Sequence, residues 1–159
     1  MKDAKRVIDS QITMTELVLP HHTNQLGNLL GGQLMHWIDI CAALSCLKHN
    51  NSICVTASVD RIDFHHSIRL GDAVELVGSV NRVFSTSMEV GVKVIAQSFK
   101  SGTFVHSNTA YLTFVRVDSN GKPVKAIQAV PESDEEKRRY EEALQRRENR
   151  LKYRHLDKM

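Results

Sequence analysis

The sequence predicts an α+β fold in which one long helix lies across an antiparallel sheet and a charged helix closes the chain. Three patterns carry that prediction. Apolar residues recur at helical spacing from about Gly32 to His49, the period of one face of an amphipathic helix. Before and after this stretch come extended segments rich in Val, Ile, Phe and Thr, separated by short polar turns. From Ser133 onward Glu, Arg and Lys dominate. A helix and a sheet that each carry one apolar face bury those faces against each other, so one is laid on the other.

The elements follow in order. Ile8, Ile12, Met14, Leu17 and Leu19 are spaced by polar residues and end at Pro20, a first strand. A loop holding Asn24 and Gly27 leads to Gly31-Gly32, which opens the helix that Asn50-Asn51 stop. On the helical wheel Ile38 centres an apolar stripe of Leu34, Met35, Cys41, Ala42, Ser45 and Cys46, with Asp39 on its edge and His36 on the polar side. Ile53 to Phe64 alternates with period two and reads as a strand. After a turn at Gly71-Asp72, three more extended segments run from Ala73 to Phe84, Met88 to Phe99 and Phe104 to Val117. Ser85-Thr86-Ser87 and Lys100-Ser101-Gly102 supply the hairpin connections, and Asp118 to Pro123 another turn. Ser133 reads as the N-cap of the tail helix, with Asp134, Glu135 and Glu136 complementing its dipole. Its stripe of Tyr140, Leu144, Arg147 and Leu151 is too thin for a core of its own, so it is expected to pack on another subunit or project into solvent.

Composition narrows the class. A chain of 159 residues with 42% hydrophobic and 25% charged residues fits one globular domain, expected over 1–131, with the charged helix and tail over 132–159. A net charge of +3 is too weak and scattered for a nucleic-acid grip and suits an acidic small molecule. The charged start and the lack of any long apolar run predict neither a secretory signal nor a membrane span. Three cysteines, an odd number without metal-ligand spacing, predict reduced thiols in a cytoplasm. No His-Glu-x-x-His pattern occurs and no metal is expected.

The densest chemistry lies between Asn24 and Asp39. The first turn of a helix has unpaired N–H groups and a partial positive charge, so Gly31 and Gly32 can hold a phosphate or an oxygen on which charge develops in acyl transfer. Asp39, at the margin of the buried face, can activate a water. Alternatively it hydrogen-bonds a neighbouring hydroxyl or carboxamide and simply orders the helix.

The ordered set Asn24, Gly27-Asn28, Gly31-Gly32 and Asp39, then Val55-Thr56-Ala57-Ser58-Val59-Asp60 and Asp63-Phe64, resembles the acyl-CoA thioesterases of the hotdog fold. The likeness is to the brain-type acyl-CoA hydrolase group and its bacterial single-domain relatives. It spans Ile8 to Pro131 and continues through Val130-Pro131-Glu132 into the charged helix. What the resemblance implies is a sheet wrapped around a central helix, two units paired edge to edge, and hydrolysis of acyl-CoA to fatty acid and coenzyme A between them. It implies a homodimer in which Asn24 of one subunit meets Asp39 of the other, assembled further as a trimer of dimers, a homohexamer. Asp39 would be general base on a water, or attack directly to give an anhydride; Asn24 would position the water; Gly31 and Gly32 would hold the oxyanion. Thr86 and Ser87 would contact the pantetheine or nucleotide part of coenzyme A. No cofactor is implied, coenzyme A being part of substrate and product, and neither nucleic acid nor membrane is a partner.

Two other functions compete. Hydroxyacyl dehydratases of the same fold pair a histidine with an acid, but His36 falls on the polar side of the helix. A non-catalytic acyl-CoA sensor would keep the glycine loop without needing both Asn24 and Asp39. No Gly-x-Ser-x-Gly elbow is present, which argues against the other common thioesterase scaffold.

Overall fold

The computed structural model describes residues 3–156; positions 1–2 and 157–159, which include the ends of the charged start and of the predicted tail, lie outside the described residues. In chain order the elements are β1 (Ala4–Arg6), a 3-10 turn (Val7–Ser10), β2 (Ile12–Leu17), a second 3-10 turn (Pro20–His22), α1 (Gly31–Asn50), β3 (Cys54–Val59), β4 (Ala73–Val83), β5 (Ser87–Ser98), β6 (Thr103–Arg116), β7 (Gln128–Val130) and α2 (Asp134–Leu156). Five strands form an antiparallel sheet in the order β2-β4-β5-β6-β3. β3 crosses over from α1 to pair with β6, while β1 and β7 make a separate parallel ribbon.

α1 lies on the sheet through Leu34, Trp37, Ile38, Cys41, Ala42, Ser45 and Cys46, all buried. They meet Leu76, Val80, Val90, Val92, Leu112 and Phe114 from the sheet in one core cluster. Contact is closest at Gly78, where an added Cβ would stand 2.9 Å from both Cys41 Sγ and Ser45 Oγ. Asn51 in the left-handed conformation, φ 48°, ends the helix. Met35, placed in the stripe by the wheel, is instead 43% exposed, and Trp37 takes its place in the core. Cys41 and Cys46 are buried free thiols and Cys54 is half-buried; burial pushes the Cys41 thiol up to about 11.

The predicted first strand is shorter than its pattern. Ser10 is buried, its Oγ donating to Val7 O at 2.6 Å and accepting from Val80 N at 2.9 Å, and the chain coils around this anchor before β2 begins. β3 likewise stops at Val59, short of Phe64. Asp60 makes the last backbone–backbone bond to the sheet, its N–H donating to Tyr111 O at 2.9 Å. Its carboxylate is then drawn to Arg150, 2.8 Å away.

The C-terminal helix corrects an expectation. Ser133 does cap it, its Oγ accepting from Glu136 N at 3.1 Å while Glu136 Oε2 accepts from Ser133 N at 3.0 Å, a reciprocal capping box. Rather than projecting away, α2 docks on its own subunit's sheet. Ala143 is fully buried, Arg82 stacks 4.1 Å from the Tyr140 ring, and Arg146 sits 3.7 Å from the Tyr111 ring while its guanidinium donates to both carboxylate oxygens of the buried Glu89. The thin apolar stripe understates this docking because arginine stems and stacked guanidinium planes carry it. Among the described residues no helix is long and apolar enough to cross a membrane.

His49, at the end of α1, is fully buried, and its Nε2–H donates to Ile127 O at 2.8 Å. Burial lowers its pKa below the ordinary 6.5. The unfolded chain therefore takes up a proton near that value which the folded ring refuses, so the contribution is intact above about pH 6.5 and is lost as pH falls towards the depressed value. Guanidinium denaturation should give a midpoint that drops between pH 7 and 5.5 more steeply for the wild type than for the uncharged His49→Gln variant; parallel pH curves would contradict this.

Candidate active site

The loop before α1 is built around Asn24. Its Oδ1 accepts from Leu26 N at 2.9 Å and Asn28 N at 3.2 Å, an Asx turn completed by Gly27 at φ 74°. Leu29 N donates to Ile68 O at 2.7 Å and Leu30 N to His22 O at 2.9 Å, which pins the loop to the segment after β3 and to the 3-10 turn before it. With the carbonyl so committed, the Asn24 Nδ2 group is the part left without a protein partner among the described residues. It borders a cavity of about 270 Å³ lined by Asn24, Asn28, Gly31, Leu34, Phe64 and His65, among others.

α1 begins at this cavity. Leu30 is its N-cap, with extended backbone and no side-chain cap; Gln33 N donates to Leu30 O at 3.1 Å, while the N–H groups of Gly31 and Gly32 keep their hydrogen-bonding capacity at the positive end of the helix dipole. A Cβ at Gly31 would stand 3.4 Å from the Phe64 ring, whereas at Gly32 it would meet nothing within 4 Å. The protein's own packing therefore does not demand glycine at Gly32; the open space there suits close approach of a ligand to the backbone.

Asp39 lies eight residues further on. At a rise of 1.5 Å per residue it is about 12 Å along the axis from Gly31, and it is not among the residues lining the cavity. It is half-buried and accepts a 2.7 Å hydrogen bond from Thr56 Oγ1, on the edge strand β3. A base must come within about 3 Å of the proton that it takes. Asp39 therefore cannot serve a reaction at the N-terminus of its own helix, and the two halves of the predicted constellation are separated within one subunit. Thr56 is thus joined to Asp39, and sequence reasoning quoted it only within the β3 motif without giving it a role. The alternation of β3 was visible, but nothing local shows that a hydroxyl on it would face a carboxylate on α1.

Thr86 and Ser87 lie elsewhere in the subunit. Thr86 O accepts from Arg116 N at 2.9 Å, and Ser87 Oγ is 3.2 Å from Arg147, which itself stacks 4.2 Å from the Phe84 ring. The next residue, Met88, contacts Asn50 at the C-terminal end of α1, so this hairpin and Gly31 sit at opposite ends of the helix. His36 is exposed. Among the described residues no group of three or more His, Cys, Asp or Glu is arranged to hold a metal.

Comparison with known proteins agrees with this architecture. A family model described as Thioesterase superfamily matches residues 26–103. Acyl-coenzyme A thioesterase 11 of Mus musculus is 42% identical over 144 residues, 91% of this chain, and the chain spans only 24% of that protein. The uncharacterized acyl-CoA thioester hydrolase YkhA of Bacillus subtilis (strain 168) is 41% identical over 148 residues, 91% of this chain and 86% of that protein. Among solved structures, an apo-hexameric acyl-CoA thioesterase is similar at 45% identity and TM-score 0.91, covering 94% of this chain and 96% of the other. An acyl-CoA hydrolase from Staphylococcus aureus, solved with butyryl coenzyme A, coenzyme A and coenzyme A disulfide, matches at 35% identity and TM-score 0.91 over 98% of this chain and 94% of its own. That hydrolase has also been solved as alanine variants of an aspartate, an asparagine and a threonine.

Proposed function

This chain belongs to the thioesterase superfamily and has its hotdog fold, and from that premise we propose that it hydrolyses acyl-CoA to a free fatty acid and coenzyme A at a site shared between two subunits. The observation that carries the reading is the separation of Asp39 from the cavity at the N-terminus of its own helix, about 12 Å along the axis. A second copy supplies the missing half: Asn24, Gly31 and Gly32 come from one subunit, and Asp39 with Thr56 from the other. The free edge of β3 and the exposed apolar residues Leu44, Leu47, Val55 and Val59 support pairing along that side. The hexameric relative supports further assembly, which we take to be a trimer of dimers. The three residue types substituted in the Staphylococcus aureus hydrolase stand in the same order and at the same intervals along its chain as Asn24, Asp39 and Thr56 here, which supports the choice of residues.

The chemistry follows from the groups present. The thioester carbonyl oxygen rests against the N–H groups of Gly31 and Gly32, whose fixed dipoles favour the charge that develops on it. Asn24 Nδ2 donates to the water or to that oxygen. Thr56 holds one oxygen of Asp39, leaving the other to take a proton from the water as the water oxygen bonds to the carbonyl carbon. Collapse breaks the carbon–sulfur bond, and the thiolate leaves with the proton that Asp39 had taken. No group beyond the substrate is drawn on, coenzyme A being part of substrate and product. Thr86 and Ser87 are assigned to the far end of the coenzyme A moiety, which a second subunit must bring near. Three free cysteines support a cytoplasmic setting.

Asp39→Ala and Asn24→Ala should each lower hydrolysis by about a hundredfold or more, with free thiol release as readout, as is usual when a base or a preorganised donor is lost. Thr56→Val should lower kcat by about tenfold and Thr56→Ser much less, since the hydroxyl is what acts. Near-normal turnover in folded, assembled Asp39→Ala would sink the assignment, and stoichiometric rather than catalytic thiol release by the wild type would favour the sensor. A separate test addresses sharing: mixed oligomers of the inactive Asn24→Ala and Asp39→Ala chains should regain activity, because some sites then hold both wild-type residues. Verified mixed oligomers that stay inactive would place the whole site within one subunit.

A further inference from the structure

A four-residue charged cluster joins the C-terminal helix to the wall of the cavity. Glu89 on β5 is completely buried, and Arg146 covers both its oxygens, Nε at 3.1 Å from Oε2 and Nη2 at 2.8 Å from Oε1, while Asn81 Nδ2 adds a bond at 3.0 Å. That much satisfies the buried carboxylate. Arg150, one turn further along α2, then spends a single Nη1 on two acceptors, Glu89 Oε2 at 3.1 Å and Asp60 Oδ2 at 2.8 Å. Asp60 is the residue at which the chain leaves the sheet, and Phe64 to Ile68 line the cavity beside Asn24 and Gly31. The far end of this wall is fixed by the Leu29–Ile68 bond and the bridge between Asn28 and Arg69. Asn108 donates to Asp63 O between them.

We propose that Arg150 is a positioning residue for the active site: through Asp60 it fixes where the 61–68 wall leaves the sheet, and so sets the shape of the cavity that receives the thioester. The inference rests on the proposed hydrolysis, but it assigns a role to the charged tail helix which that reading leaves without one. Docking of α2 does not require Arg150, because Arg146, Ala143 and the stacking of Arg82 on Tyr140 already provide it. What Arg150 adds is the link to Asp60, with both side chains about four-fifths buried, at 21% and 20% exposure, where an ion pair is less screened than at the surface.

The test uses the full chain in its native assembly. Arg150→Met keeps the length of the stem and removes the link. It should raise KM for acyl-CoA about tenfold while kcat stays within about a factor of two, since Asp39, Thr56 and the helix amides are untouched. Arg150→Lys, which can still reach Asp60, should recover most of the loss. Combining Arg150→Met with Asp60→Asn should add little to either single change, because both break one link. Hydrogen exchange should quicken in 61–68 in Arg150→Met but not in α2 or β5. A variant with wild-type KM and unchanged exchange in 61–68, or one whose only change is a lower unfolding midpoint, would overturn the proposal. If the wild type itself releases no thiol while exchange in 61–68 responds as expected, the hydrolase reading has failed and the positioning role stands.

Discussion

The depth to which α1 can sink onto the sheet is the constraint on which the rest of this molecule depends. At Gly78 the strand backbone meets Cys41 and Ser45 so closely that a single added carbon would stand 2.9 Å from both side chains, inside the separation at which non-bonded atoms attract. That contact fixes the helix along its length and about its axis. Gly31 is thereby set at the mouth of the cavity, with Gly32 next to it in the chain, and Asp39 is turned toward Thr56 on the edge strand. A bulkier residue at Gly78 would disturb more than packing, because Gly31, Gly32 and Asp39 are carried by α1 and Thr56 is bonded to Asp39.

Fixing the helix also fixes the separation of the two halves of the candidate site. A rigid rod that bears its amide cradle at the first turn and its carboxylate eight residues later cannot bring the two to one atom. Asp39 bonded to the Thr56 hydroxyl would, seen alone, equally suit an acid that merely orders a helix. What tips the balance is the company it keeps: an unpaired sheet edge, exposed apolar residues on α1 and β3, and an Asn24 amide left with donors to spare. None of these is needed by a monomer, and on the proposed reading each is used when two copies meet.

The parts legible in the sequence were those whose cause is local. The period of α1, the alternation of the strands, the Asp118 turn with its two backbone bonds and the Ser133–Glu136 cap each depend on residues close in sequence. The parts that were not legible depend on a distant partner. Ser10 coils the chain because Val80 lies across from it, and β3 ends where Arg150 takes hold of Asp60. Glu89 sits between Met88 and Val90 in an alternating strand, the position of a solvent-facing acid, yet two arginines about sixty residues away bury it completely. The candidate site divides in the same way: Asn24, Gly31, Gly32 and Asp39 stood out in the sequence because they form one compact motif, whereas Thr56, visible only as part of a strand motif, gains its partner Asp39 through the fold.

A site divided between subunits couples activity to assembly. The core of one chain is complete, since the residues of α1 that face the sheet are covered without help from a partner. Folding and catalysis are therefore separable on the proposed reading: a monomer can be folded and inactive, and a substrate that touches both subunits favours the paired state by mass action. Arg150 lies on the other side of that division. Its link to Asp60 shapes the cavity wall from within the same chain, so on the proposed reading the wall is in place before the partner brings Asp39 and Thr56.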